Sequence, residues 1–298
     1  MHEYDLVILT DDRYVAPKNV TTYIQNILTE EGLLIEALAH YDLKVIRKSW
    51  SDPNFNWLST KYACFRSTWD YFDRYQEFNS WLHQTASKLQ FINPVKLVQW
   101  NLDKHYLADL QLKGIPVVKT WFMEPGSTNK LEVIAKEIET DELVLKPAIS
   151  GAARHTYRIK KTKISGYESI FQQLTSQETM MVQPFIKSIL NKGEISIMMF
   201  GARYSHAVLK KGKPGDFRVQ DDFGGKVYEY QPTEEAIELA VNTVNTCPEL
   251  PFYARIDLVW DNDNKLVVSE LELVEPELFF RNKPVAAELL AREITSRI

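Results

Sequence analysis

Near the C-terminus, charged side chains fall at alternate positions in two apolar stretches. Arg255 and Asp257 lie in 253–260, and Glu270 and Glu272 in 265–274. Between the stretches, Asp261-Asn262-Asp263-Asn264 are ordinary turn formers, so the pair reads as a hairpin. Closed symmetrically, it pairs Trp260 with Lys265, Asp257 with Val268 and Arg255 with Glu270. Side chains alternate across a strand, which puts Arg255, Asp257, Glu270 and Glu272 on one face and Leu271 and Leu273 on the other. The two glutamates then stand about 7 Å apart along their strand. Hard oxygen ligands at this density suit Mg²⁺, with substrate phosphates completing the shell. A solvated face with a cross-strand salt bridge is the plainer alternative.

Three further stretches carry chemistry. Leu143-Val144-Leu145-Lys146-Pro147-Ala148-Ile149-Ser150-Gly151-Ala152-Ala153 is an apolar strand with one lysine at its end, then a run of small residues. Small residues let backbone N–H groups approach phosphate oxygens while the lysine supplies a point charge. The stretch lacks the spacing of a Walker A loop, and a surface lysine is the other reading. Gln183-Pro184-Phe185-Ile186 closes a second apolar strand ahead of Gly193-Glu194. It is either a linker that holds an adenine or a simple connection. Leu209-Lys210-Lys211-Gly212-Lys213-Pro214-Gly215-Asp216-Phe217-Arg218, leading to Gly224-Gly225, is basic and glycine-rich. Beside an acidic hairpin it could clamp a polyphosphate from the opposite side; alone it reads as an exposed turn. Lys211–Gly225, poor in large apolar anchors, is expected to act as a lid.

The positioning elements follow from periodicity. Leu6–Leu9, Val45-Ile46 and Tyr62–Phe65 read as strands, with helical rhythm over 20–40 and 74–89. That alternation implies a small α/β layer with a mostly parallel sheet, whose strand ends are where ligands bind. Arg66 and Trp69 lie at such an end, as candidate substrate contacts. Trp50, Trp57 and Trp81 read as packing. Asn93-Pro94 marks a boundary. Beyond it come a helix near 102–112, a strand near 117–122 and a helix near 129–138. From Glu142 strands dominate: Leu143–Lys146, Tyr157–Ile159, Met180–Gln183, Ile195–Phe200, Ser205–Leu209, Tyr253–Trp260 and Leu266–Val274. Only 165–174 and 233–245 read as helices between them. This is an antiparallel α+β arrangement.

Composition narrows the function classes. In 298 residues, 45% are apolar and 25% charged, with 35 basic and 40 acidic side chains. That is an ordinary globular mix without the basic field of a nucleic-acid binder. No uncharged stretch reaches the roughly 18 residues of a membrane span. The N-terminus lacks the pattern of a signal peptide. The two cysteines, Cys64 and Cys247, match no disulfide framework or zinc spacing. A cytoplasmic setting is expected.

The order of the four constellations resembles the ATP-grasp superfamily from Asn101 to Glu275. Glu270-Leu271-Glu272, trailed by Pro276, is similar to its E-x-N motif, with Glu272 in place of the asparagine. Arg255-Ile256-Asp257 resembles the R-x-D of D-alanine–D-alanine ligases. Gly215-Asp216-Phe217-Arg218 with Gly224-Gly225 resembles bacterial glutathione synthetases. The wider pattern is closest to the branch that includes the O-ureidoserine cyclo-ligase of cycloserine biosynthesis. It comprises Thr10-Asp11-Asp12-Arg13, Arg66-Ser67-Thr68-Trp69-Asp70-Tyr71, Asn101-Leu102-Asp103-Lys104 and Glu270–Pro276.

The resemblance implies an ATP-grasp fold. A Rossmann-like layer (1–93) would precede two antiparallel-sheet subdomains (94–186 and 187–298) that sandwich ATP. It implies an ATP-dependent carboxylate–amine ligase that makes an amide or a ring through an acyl phosphate. The substrate would be a small amino-acid-like molecule, and the products would include ADP and phosphate. A two-substrate ligase of glutathione-synthetase type and a non-catalytic nucleotide-binding module are the alternatives. Lys104, Lys146 and Lys210 would contact phosphates, with Ser150 and Gly151 in a flap above them. Gln183, Phe185 and Ile186 would line the adenine pocket, and Glu194 would take the ribose. Asp257, Glu270 and Glu272 would hold Mg²⁺. Arg218 would bind the γ-phosphate or the substrate carboxylate, and Arg255 would meet the oxyanion. A homodimer is a weaker implication.

Overall fold

A run of apolar residues without alternation forms a strand only where both sheet faces are covered. Leu6, Val7, Ile8 and Leu9 are such a run, and all are fully buried. The computed structural model, which describes residues 2–151, 154–213, 215–219 and 224–298, places them in β1 (Tyr4–Thr10). With β2 (Val45–Ser49), β3 (Thr60–Ser67) and β4 (Gln90–Ile92) it forms a parallel sheet ordered β2-β1-β3-β4. The helix Thr22–Ala39, capped by the Thr21 hydroxyl, covers one face through Leu34 and Leu38. Against it lies a C-terminal helix, Val285–Thr295, that the sequence reading did not anticipate. Trp50, Phe65, Phe78 and Phe91 cover the other face, with Trp81 packed against them. Trp50, Trp57 and Trp81 are thus packing residues, as expected.

The second sheet is antiparallel, ordered β5-β8-β6-β7. Its strands are β5 (Trp121–Met123), β6 (Glu142–Pro147), β7 (Tyr157–Lys160) and β8 (Met180–Pro184). Helices Leu131–Glu137 and Glu168–Thr175 back it, through Leu131, Ile134, Phe171 and Leu174 against Leu143 and Leu145. The third sheet is also antiparallel, ordered β11-β10-β9-β12-β13. It comprises β9 (Glu194–Phe200), β10 (Arg203–Lys211), β11 (Lys226–Tyr230), β12 (Tyr253–Trp260) and β13 (Leu266–Glu272). One face is apolar, with Ile195, Ile197, Ile256, Leu258 and Leu271 packed under helices Tyr106–Leu112 and Glu234–Thr246. No helix of the described residues is long and apolar enough to cross a membrane.

Three expectations change. The helix near 102–112 is two helices, Val95–Leu102 and Tyr106–Leu112. The strand near 117–122 is divided: Trp121 and Phe122 join the second sheet, while Pro116 and Val118 bond to Val268 of β13 (2.9 and 3.0 Å). The hairpin register also differs. Trp260 pairs with Leu266, Asp257 with Glu270 and Arg255 with Glu272. The loop is one residue longer, because the Asp261 N–H bonds the Lys265 carbonyl at 2.8 Å. That alone would turn the glutamates to the apolar face. A bulge at Ser269 restores them, since the register shifts between Asp257 and Leu258. The expected shared face therefore survives a wrong register.

Candidate active site

A cavity of about 350 Å³ opens between the second and third sheets and reaches the first layer. Of the sequence-predicted site residues, Lys104, Lys146, Ser150, Gly151, Gln183, Phe185, Ile186, Glu194, Lys210, Arg218, Arg255, Asp257, Glu270, Glu272 and Trp69 all line it. Arg66 does not. It is buried behind the cavity wall, bonded to Glu30 (2.9 Å) and to the Pro276 carbonyl, with its guanidinium 5.2 Å from the Tyr253 ring centroid.

The polar wall is built by strand parity. Glu194 and Ser196 on β9, Lys210 on β10, Arg255 and Asp257 on β12, and Glu270 and Glu272 on β13 share one face. Asp257 is at the centre. It accepts from Ser196 Oγ (2.5 Å), Arg255 Nε (3.0 Å), Arg255 Nη2 (2.9 Å) and Lys210 Nζ (3.1 Å). Lys210 also pairs with Glu194 at 2.6 Å, and Arg255 with Glu272. Lys104 bridges Glu270 Oε1 (3.1 Å) and the Ser150 carbonyl (2.8 Å), tying the β13 face to the flap. One carboxylate oxygen from each of Asp257, Glu270 and Glu272 lies within 4.8 Å of the others. This hard, all-oxygen donor set fits a divalent cation of the Mg²⁺ kind.

The electrostatics follow from burial and neighbours. Burial raises Asp257, but Arg255 and Lys210 outweigh it and hold the carboxyl down to about 2. Burial, with Asp257 and Glu270 adding to it, pushes Glu272 up to about 8 against the pull of Arg255. Burial lowers Lys146, opposed by Glu270. One acid is thus firmly ionised beside another that holds its proton more tightly. A cation entering the site would exchange with that proton.

At the opposite end the wall is apolar. Phe185 is buried, with the Arg158 guanidinium 3.7 Å from its ring centroid and Phe217 edge-on at 5.9 Å. Its N–H bonds the Glu142 carbonyl (3.0 Å), and its carbonyl accepts from Asn262 (3.1 Å). Phe185 therefore offers the cavity its ring rather than its backbone. Gln183 donates to Thr120 Oγ1 (2.8 Å). Glu194 Oε2 takes a bond from Ser269 (3.1 Å), so both of its oxygens are engaged. Arg218 lines the cavity and is held by Asp216, whose carboxylate accepts from its backbone N–H, Nε and Nη2. The segment Lys211–Gly225, expected to be a lid, falls in part on residues 214 and 220–223. Those residues, and Ala152 and Ala153 of the flap, lie outside the described residues. Gly151 rests on Phe72: a Cβ there would lie 2.4 Å from the ring, so any side chain would have to push it aside.

Several contributors were not singled out from the sequence. Asn101 acts as a substitute strand edge for β13, donating to the Leu271 carbonyl (2.8 Å) and accepting from the Leu273 N–H (2.7 Å). The Tyr106 hydroxyl accepts from the Leu271 N–H at 3.0 Å. Together they fix Leu271 into the core and so turn Glu270 and Glu272 to the cavity. Tyr71, Phe72 and Glu275 line the end nearest the first layer.

Comparison with known proteins agrees with this geometry. Residues 120–283 match the RimK-like ATP-grasp domain, and residues 6–93 match the N-terminal domain of D-cycloserine synthetase DcsG. The cycloserine biosynthesis protein DcsG of Streptomyces lavendulae is 29% identical over 280 residues, 89% of this chain and 92% of that protein. The crystal structure of D-cycloserine synthetase DcsG superposes with a TM-score of 0.85 at 26% identity, over 98% of this chain and 99% of that one. The ATP-grasp ligase PsnB, complexed with minimal precursor, Mg and ADP, shares the fold at 14% identity, with a TM-score of 0.64 over 99% and 98% of the two chains. Joined to a cavity whose walls carry this set of lysines, arginines and carboxylates, the match places the chain in the RimK-like ATP-grasp family, as an ATP-dependent ligase that forms carbon–nitrogen bonds.

Proposed function

We propose that the enzyme activates the carboxylate of a small amino-acid-like substrate as an acyl phosphate and closes it into a ring with a nitrogen of the same molecule. The observation that carries this reading is the trio Asp257, Glu270 and Glu272, set within 4.8 Å on a wall that also holds Arg255 and Lys210. The likeness to DcsG over 92% of that protein favours ring closure over joining two substrates. Under the expected division at residues 93 and 186, ATP sits between the second and third subdomains. Its adenine lies by Phe185 and Ile186, its ribose by Glu194 and its phosphates by Lys104 and Lys146.

A substrate carboxylate oxygen attacks the γ-phosphorus and ADP departs. The nitrogen then adds to the carbonyl carbon, phosphate leaves with the former carboxylate oxygen, and the proton the nitrogen gives up passes to the departing phosphate. Asp257, Glu270 and Glu272 would hold Mg²⁺, which when bound would supply charge neutralisation for the transferring phosphoryl group. The protein's own part is positioning. Arg218 orients the acid. Arg255 spends three donor groups on Asp257 and Glu272 and one on the Glu277 carbonyl (3.3 Å), which leaves one N–H for the developing oxyanion. We place the reaction in the cytoplasm. Incubating the enzyme with Mg-ATP and single small amino acids, read as phosphate release, tests the reading. Release with one compound alone, yielding a product of the substrate's mass less one water, indicates ring closure, and a dimeric product or release only with pairs indicates joining.

Lys146→Ala is expected to weaken ATP binding more than tenfold, because it removes the cation at the end of β6. Calorimetry showing unchanged affinity would remove the nucleotide from this strand.

The raised value of Glu272 gives a pH signature. The folded chain holds a proton that the unfolded chain has released. Without metal, stability therefore falls as pH rises from the ordinary 4.5 toward about 8, and is level above it. Asp257 contributes in the opposite sense, losing its stabilisation only as pH falls toward about 2. Mg²⁺ competes with the Glu272 proton, so its stabilising effect should grow as pH climbs through this window. Thermal melts with and without Mg²⁺ across that range check it. In Glu272→Gln the growth should largely vanish.

A further inference from the structure

The cavity has a far end that neither the nucleotide nor the metal occupies in this reading. Tyr23, Trp69, Tyr71 and Phe72 of the first layer close it, together with the chain that follows β13. Two carboxylates face this end, Glu275 and Glu277. Glu277 is matched by an ion pair with Arg281. Glu275 is different. Among the described residues no Lys, Arg or His forms an ion pair with it, and Lys104, whose charge acts on it, is paired with Glu270. The Tyr71 hydroxyl also acts on it, drawing its carboxyl down against burial.

Resting on the ligase reading above, we infer that Glu275 receives the ammonium group of the substrate, beside the aromatic rings that line this end. Glu275 is half-buried at the cavity wall, so its carboxylate is partly desolvated without a cation, and an ammonium arriving with the substrate supplies the missing charge. The rings supply the rest. Trp69 lies 6.0 Å from Tyr23, and Tyr71 meets Phe72 edge-on at 5.5 Å. Aromatic faces lining a cavity attract a cation that comes within about 6 Å of their centroids. The backbone holds the geometry, since Trp69 Nε1 donates to the Glu275 carbonyl at 3.0 Å. Burial pushes the Glu275 carboxyl up to about 7, in keeping with an acid that has no cation beside it. An ammonium held here leaves the substrate's carboxylate directed toward the phosphate end. Glu275 thus selects an amino acid over the acid that lacks the amine.

The test uses the whole enzyme with Mg-ATP and matched probes: α-amino acids that carry a second nitrogen, 2,3-diaminopropionate and 2,4-diaminobutyrate, and the corresponding acids without the α-amine, 3-aminopropionate and 4-aminobutyrate. Phosphate release is read as kcat and KM. On the wild-type enzyme, removing the amine from the best probe should lower kcat/KM at least about tenfold. Glu275→Gln keeps the shape but carries no charge, so it imitates the carboxyl in its protonated form. It should raise KM for the amino acid at least about tenfold, leave the affinity for ADP as in the wild type, and erase the preference for the amine. Glu275→Asp should recover part of that preference. Unchanged KM and selectivity in Glu275→Gln, with phosphate release intact, would overturn the assignment and leave the ligase reading standing. The wild-type comparison decides even if that variant fails to fold: equal rates with and without the amine would also overturn it. Normal ADP binding with no release for any acid would instead overturn the ligase reading, and this inference with it.

Discussion

Glu270→Gln is expected to cut turnover by more than about a hundredfold in a protein that still folds. Removing a partner behind a metal ligand already costs about 10–100-fold, and a ligand lost outright should cost at least the upper figure. A neutral amide is a poor replacement for a carboxylate at a hard cation. The folded state tolerates the change because Glu270 faces the cavity and remains 31% exposed. Its cationic partner, Lys104, keeps the Ser150 carbonyl. Steady-state phosphate release beside a thermal melt separates the two effects. Full activity would make the β13 face a solvated surface.

Arg255→Ala has the other large expected effect, and a different signature. Removing one oxyanion donor typically slows turnover about 10²–10³-fold. Here the loss also leaves Asp257 and Glu272 without the guanidinium that joins them, in a wall where Arg255 is only 8% exposed. Breaking a buried pair costs about 3–5 kcal/mol. A divalent cation between the same carboxylates would restore much of that, so Mg²⁺ should raise the melting temperature of this variant more than that of the wild type. Nucleotide affinity measured with Mg²⁺ present should be largely kept. A variant that Mg²⁺ does not rescue, and that no longer binds ATP, would make Arg255 a structural partner only.

The cavity wall was legible in the sequence because strand parity is a local property. Alternation over 253–260 and 266–272 places charge on one face whatever the loop does in detail, provided loop and bulge compensate. They do: the longer turn and the bulge at Ser269 cancel in parity, which no local pattern could have revealed. Lys146 was visible for a similar reason, as a single cation closing an apolar strand. What stayed hidden depends on contacts distant in sequence. Asn101 is visible in the sequence only as the start of the motif 101–104, with nothing to show that β13 lies beside it, and Asn93 likewise bonds the Tyr253 and Leu273 carbonyls across the fold (2.9 and 2.7 Å). The helix Val285–Thr295 had a readable apolar stripe in Leu290 and Ile294, but its small alanines weakened the periodicity. The edge strand Lys226–Tyr230 is mostly exposed and carries Lys226 and Glu229 among its five residues, and so gave little signal. Arg66 shows the reverse error. A strand end suggested a ligand contact, yet the guanidinium turns back to Glu30.

The central claim, that this cavity transfers the γ-phosphoryl group of ATP to a carboxylate, is tested most directly by following that carboxylate's oxygen. An accepted amino-acid substrate is prepared with heavy oxygen in its carboxyl group and converted with Mg-ATP in ordinary water. The phosphate released is then examined by mass spectrometry. An acyl phosphate requires that each turnover move one labelled oxygen from substrate to phosphate. Product formation accompanied by unlabelled phosphate would contradict it.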